Sequence, residues 1–127
     1  MQETIKKFKF KDKGIVLNAP DSLEDKFVEL GFETSLHKED KSKNTLVFIN
    51  NQKEYLDFLT NSLERIEDDS VLWFGYPKGT SKIKTDINRD TIRTTGEEFG
   101  ITTVTAVSIN ETWSALRFRP IDNVGKR

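Results

Sequence analysis

The chain has 127 residues, one histidine and no cysteine, and 20 Lys plus Arg against 21 Asp plus Glu give a formal charge of −1. That length fits one domain able to bury roughly two-thirds of the surface its unfolded form exposes. The missing cysteines exclude disulfides, thiolate metal sites and cysteine nucleophiles; the near-neutral balance argues against a dedicated duplex-DNA binder.

No run approaches the ~20 apolar residues of a membrane helix, so the expectation is a cytoplasmic protein with no membrane partner. Residues 1–13 read as a basic leader, with Lys6, Lys7, Lys9, Lys11 and Lys13 between Ile5, Phe8 and Phe10. Its cations are solvated and its aromatics cap the core; a basic arm touching phosphates is the alternative. Gly14 to Asn18 is a short buried strand. Asp21 is the expected cap of the next helix, with Glu24 three residues on as its partner. Leu23, Phe27 and Leu30 share one face of that helix, and Gly31 stops it. Phe32 to Leu36 is a second, weaker strand, and His37 to Asn44 a polar loop.

Thr45-Leu46-Val47-Phe48-Ile49 is apolar throughout, as expected of a strand covered on both faces. A helix follows over Asn51 to Ile66, with Leu56, Leu59, Leu63 and Ile66 at helical spacing. Glu67-Asp68-Asp69 is a solvated turn before the strand Val71 to Phe74, which runs into a long loop from Tyr76 to Asp86. The next helix spans Ile87 to Phe99, and its interior Gly96 implies close packing on the sheet. Thr103 to Ile109 and Trp113 to Arg119 alternate across a turn at Asn110-Glu111, forming an antiparallel hairpin. Trp73 and Trp113 are expected as core anchors. Residues 14–120 form a single α/β domain and 121–127 a polar, frayed tail.

Apolar strands alternating with helices predict an α/β three-layer Rossmann-like sandwich, mostly parallel with an antiparallel C-terminal hairpin. With the six strands numbered along the chain, the expected spatial order is 2-1-3-4-6-5.

The strings Leu72-Trp73-Phe74-Gly75-Tyr76-Pro77-Lys78, Ser81-Lys82-Ile83-Lys84-Thr85-Asp86 and Thr112-Trp113-Ser114-Ala115-Leu116-Arg117-Phe118-Arg119-Pro120 resemble an uncharacterised family of small bacterial proteins carrying a domain of unknown function. Leu17-Asn18-Ala19-Pro20 is similar to that family's first strand exit. The resemblance spans residues 14 to 120, implies a bacterial cytoplasmic origin and supplies no activity. More distantly, the second half resembles the C-terminal half of Rossmann-like methyltransferases. A cofactor loop of that kind has closely spaced glycines after the first strand. Here that position reads Asn18-Ala19-Pro20, no G-x-G occurs in the chain, and proline has no N–H to offer. No cofactor is expected.

In an open parallel sheet, ligands bind beyond the carboxyl ends of the strands where strand order reverses. That crevice would be lined by Asn18, Ala19, Asn50 and Asn51, with Lys78, Thr80, Ser81, Lys82 and Lys84 overhanging it ahead of a helix N-terminus. Ammonium, hydroxyl and amide groups converging there suit a small anion. The rival is a solvated loop in which Asp86 and Asp90 cap the helix. Arg117 and Arg119 share a strand face with Trp113 and Ala115, as an anion- or partner-binding stripe or as a charged guard of a sheet edge. His37 lies in a charged loop, so neither a catalytic triad nor a histidine metal site has material; no catalytic or metal residues are assigned. The leading expectation is a non-catalytic binding or interaction module for a small anionic ligand or a protein partner. The alternatives are a methyltransferase-like enzyme lacking the glycine-rich loop, and a nucleic-acid-associated factor using Lys6 to Lys13 with the Lys78 to Lys84 loop, the least expected partner.

Overall fold

The computed structural model describes residues 2–11, 14–37, 39–79 and 83–123, with the side chains of residues 2–4 left aside. Its elements run α1 (Gln2–Lys7), β1 (Ile15–Leu17), α2 (Asp21–Glu29), β2 (Ser42–Phe48), α3 (Gln52–Asn61), β3 (Ile66–Pro77), α4 (Arg89–Glu98), β4 (Ile101–Ser108) and β5 (Trp113–Pro120). Short 3-10 turns follow α3 at Leu63–Arg65 and β5 at Ile121–Asn123.

The strands form one mixed sheet in the order β1-β2-β3-β5-β4. β1, β2 and β3 are parallel, and β5 runs antiparallel to both β3 and β4. The Phe32–Leu36 strand shrinks to a single parallel bridge between Glu33 and Ile15 on the outer side of β1. With that bridge as its vestige, the spatial order is the expected one.

Side chains alternate across a strand, and both faces of this sheet are apolar. Val47, Leu72, Phe74 and Phe118 point to the face covered by α3 and α4, joined there by Tyr55, Phe58 and Ile92. Leu46, Phe48, Trp73 and Trp113 point to the other face, where α2 contributes Leu23 and Phe27. Both tryptophans are core anchors, with Trp73 fully enclosed and Trp113 buried. The first residues join this second face. Phe8 is completely buried and packs edge-on against Trp73, whose indole N–H donates to the Phe8 carbonyl at 2.9 Å. Gly96 packs as its position implied: a Cβ there would lie 2.7 Å from Phe118 and 2.8 Å from the Tyr55 hydroxyl.

Several boundaries differ from the sequence reading. Asp21 is the first residue of α2 and caps nothing; Pro20 holds the cap position with no side-chain bond. The helix after β2 ends at Asn61 instead of Ile66, because Ser62 leaves helical geometry and a 3-10 turn takes over. Asp86 and Asp90 do not cap α4. Asn88 does, accepting from the Thr91 amide while the Thr91 hydroxyl accepts from the Asn88 amide.

The largest difference is at Glu67-Asp68-Asp69, which lies inside β3. Ser42 pairs with Ile66, but Asn44 pairs with Val71. The four residues between bulge out of the ladder, and Asp69 takes a left-handed φ of 52°. Asp tolerates that conformation better than most residues. The frayed tail expected after Pro120 falls largely on residues 124–127, outside the described residues. No helix among the described residues is long and apolar enough to cross a membrane.

Candidate functional site

Strand order reverses between β1 and β2, since the chain leaves β1 toward the Glu33 bridge and returns on the other side as β2. Beyond the carboxyl ends of these two strands lies a crevice of about 310 Å³, bordered by Leu17, Asn18, Phe48, Glu54, Asp57 and Phe58. Asn18 follows β1 with a φ of 58°, the left-handed region that asparagine enters more readily than most side chains. This turn aims its amide across to β2. Nδ2 donates to the Phe48 carbonyl at 2.9 Å and to Glu54 Oε1 at 2.8 Å.

Glu54 is the hub. It sits in the first turn of α3, where the helix dipole favours a carboxylate. Besides Asn18, its Oε1 accepts from the Asn50 backbone amide at 2.9 Å and from Asn50 Nδ2 at 3.0 Å. Asn51 caps the helix by accepting from the Glu54 amide. The segment before α4 closes on the same place. The Thr85 hydroxyl donates to the Asn50 carbonyl at 2.6 Å, and Asp86 accepts from the Gln52 amide at 2.8 Å.

The structure therefore brings Asn18 and Asn50 together, and the end of the long loop reaches them through Thr85. Lys78 lies elsewhere: its Nζ donates to Ser108 at 2.6 Å and its backbone amide to the Thr112 carbonyl, at the β4–β5 end of the sheet. Lys84 is exposed. Thr80, Ser81 and Lys82 lie outside the described residues.

The sequence reading did not single out Glu54, although its signal is present. Asn51-x-x-Glu54 has the spacing of a helix capping box, with the glutamate here reaching one residue further back, to Asn50. Its consequence for chemistry is a change of polarity. The crevice carries two carboxylates, Glu54 and Asp57, and the side-chain amides of Asn18 and Asn50 both donate to Glu54.

His37 stands at the other end of the strands, on Glu33, and Arg65 donates to its carbonyl. Tyr55 is held as a donor to the Ile92 carbonyl, and burial pushes its hydroxyl pKa up. Among the described residues, no group of three His, Asp or Glu could hold a metal ion. No protein-family model matches this chain, and no curated protein matches it.

Proposed function

We propose that this chain is a non-catalytic binding or interaction module, a single Rossmann-like three-layer domain that takes a small ligand across the carboxyl ends of β1 and β2. The observation that carries the reading is the crevice at the strand-order reversal, bordered by Asn18 after β1 and by Glu54 and Asp57 of α3. Ligands of open α/β sheets gather at such reversals. Glu54 and Asp57 favour a hydrogen-bond donor or cationic group in the crevice. An anionic group of the same ligand is assigned to Lys82 and Lys84 of the loop after β3, since the amides of Asn18 and Asn50 donate to Glu54. Kinship with the bacterial family rests on the strings Leu72–Lys78, Ser81–Asp86 and Thr112–Pro120.

The test is a ligand screen on the full chain with nucleotides, free amino acids and S-adenosylmethionine, read by amide NMR and by Tm. A ligand at ~100 times its Kd adds ~2.7 kcal/mol of stability. The expected outcome is a saturable shift of the Asn18, Asn50 and Glu54 amides that disappears in the double variant Lys82→Ala with Lys84→Ala, while the unliganded Tm stays nearly unchanged. Shifts that survive the double change overturn the role of the loop. A screen in which no ligand moves those amides overturns the site. Methyl transfer from S-adenosylmethionine would replace the reading with the methyltransferase-like alternative.

A further inference from the structure

We infer that a second ligand site, for a small amine with an aromatic or branched-alkyl body, lies at the start of β3. β1, β2 and β3 run parallel, so the residues opening β3 sit at the far end of the sheet from the Asn18 crevice. A cavity of about 190 Å³ opens there. Its apolar wall is built by Leu63, Ile66, Leu72, Phe99, Ile101 and Phe118. A dry apolar cavity of ~150 Å³ is already large enough to take benzene, so this one has room for a ring or a branched chain.

The local backbone explains the opening. Ser62 ends α3, and the 3-10 turn Leu63–Arg65 carries Leu63 onto the wall. α4 ends at Glu98, and Gly100, with a φ of 87°, turns the chain into β4. Between these two helix ends β3 bulges, since Ser42 pairs with Ile66 and Asn44 with Val71. Phe99 is left 36% exposed, although Ile66, Leu72, Ile101 and Phe118 are buried. An apolar rim above a buried apolar floor, with a few polar groups beside it, is the ordinary build of a small-ligand pocket.

The charged part of the lining selects the ligand's head group. Glu67 and Asp68 border the cavity, are exposed, and have no hydrogen-bond or ion-pair partner among the described residues. Asp69 and Arg119, also on the lining, neutralise each other through bonds of 2.8 and 2.9 Å. Arg65, in the turn beside Leu63, donates to the His37 carbonyl. Glu64 in that turn, Glu97 and Glu98 at the end of α4, and Asp122 after β5 add only negative charge. Arg117 and Lys11 belong to the other face of the sheet, Arg117 by its pairing with Trp73 and Lys11 by following Phe10. An ammonium head therefore meets attraction at the mouth of an apolar hole, and a carboxylate meets repulsion. Space for one ring suits a small molecule better than an extended peptide.

The experiment titrates the full chain with 2-phenylethylamine, 2-phenylethanol and 3-phenylpropionate at matched ionic strength, followed by amide NMR. The Ser70, Gly100 and Ile101 amides are expected to move saturably, with the amine binding tightest and the carboxylate weakest. Glu67→Gln with Asp68→Asn changes only exposed side chains. It should weaken amine binding roughly two- to fivefold, the range for a solvent-exposed ion pair, and leave the alcohol unaffected. Added salt should weaken the amine alone. Amides that do not respond to the amine overturn the site, and this readout needs no variant to fold. Shifts confined to Asn18, Asn50 and Glu54 would put the amine in the first crevice and overturn it as well. Equal affinity for amine and carboxylate, or full amine affinity in the double variant, overturns the charge assignment. A lysine-rich peptide displacing the amine at far lower ammonium-equivalent concentration overturns the small-ligand assignment.

Discussion

Glu54 and Asp69 are two carboxylates with opposite effects on their surroundings. One oxygen of Glu54 takes three hydrogen bonds from Asn18 and Asn50. These donors are uncharged, so the cluster ends up negative and internally satisfied, and it ties the end of β1 to the start of α3. Asp69 gives both oxygens to one guanidinium, a charged partner fifty residues away in sequence. A carboxylate surrounded by amides acts as a structural knot. A carboxylate paired with one guanidinium acts as a clasp between two strands, here β3 and β5.

The contrast can be broken most strongly at Glu54. Glu54→Ala removes the acceptor of the half-buried Asn50 backbone and side-chain amides and one of the two acceptors of the exposed Asn18 amide, and should lower unfolding stability by roughly 2–3 kcal/mol in a urea titration. Glu54→Gln keeps an acceptor and should cost clearly less. Equal losses in the two variants would mean that charge, rather than hydrogen-bond acceptance, holds the knot.

Asn18→Ala is next, at about 1–2 kcal/mol, because it removes the bond to the Phe48 carbonyl and leaves a Cβ in left-handed backbone. Asn18→Gly should recover the backbone share of that loss. The effect at Asp69 is the smallest, since its pair with Arg119 is largely exposed and screened by water and salt.

The pH dependence of that pair sharpens the comparison. The Asp69 carboxyl is lowered from 3.8 in the folded chain, chiefly by the hydrogen bond from Arg119. A carboxyl lowered by folding stabilises fully above its unfolded value and loses that contribution as the pH falls through its folded value. The stability difference between the native chain and Asp69→Asn should therefore be complete at neutral pH, shrink as the pH drops below about 4, and vanish in stronger acid. A difference that persists in strong acid would show that Asp69 acts through its left-handed backbone and not through its charge.

Much of this was legible along the chain. Runs such as Thr45 to Ile49 and Val71 to Phe74 announce strands covered on both faces, because only a doubly covered strand has no need of polar residues at alternate positions. Gly96 announced the contact of α4 with Phe118 and Tyr55, because a helix interior keeps a glycine at a cost unless something lies against it. Asn18 and Asn50 could be placed at the strand-order reversal from element order alone.

What local pattern could not supply were partners distant in sequence. Glu67-Asp68-Asp69 looks like a turn by composition, yet β2 pairs with Ile66 before it and Val71 after it, so it lies within β3 as a bulge. Lys78 looks like a neighbour of Asn18, yet the pairing of β3 with β5 carries it to Ser108. The alternation of apolar residues is a local property, so the sequence is enough to place the main strands and helices and the α/β class, while the Phe32–Leu36 strand shrinks to one bridge and the helix Gln2–Lys7 goes unread. Which charge meets which depends on strand register and on chain segments dozens of residues apart, and there the assembled fold assigns Glu54 to the asparagines and Asp69 to Arg119.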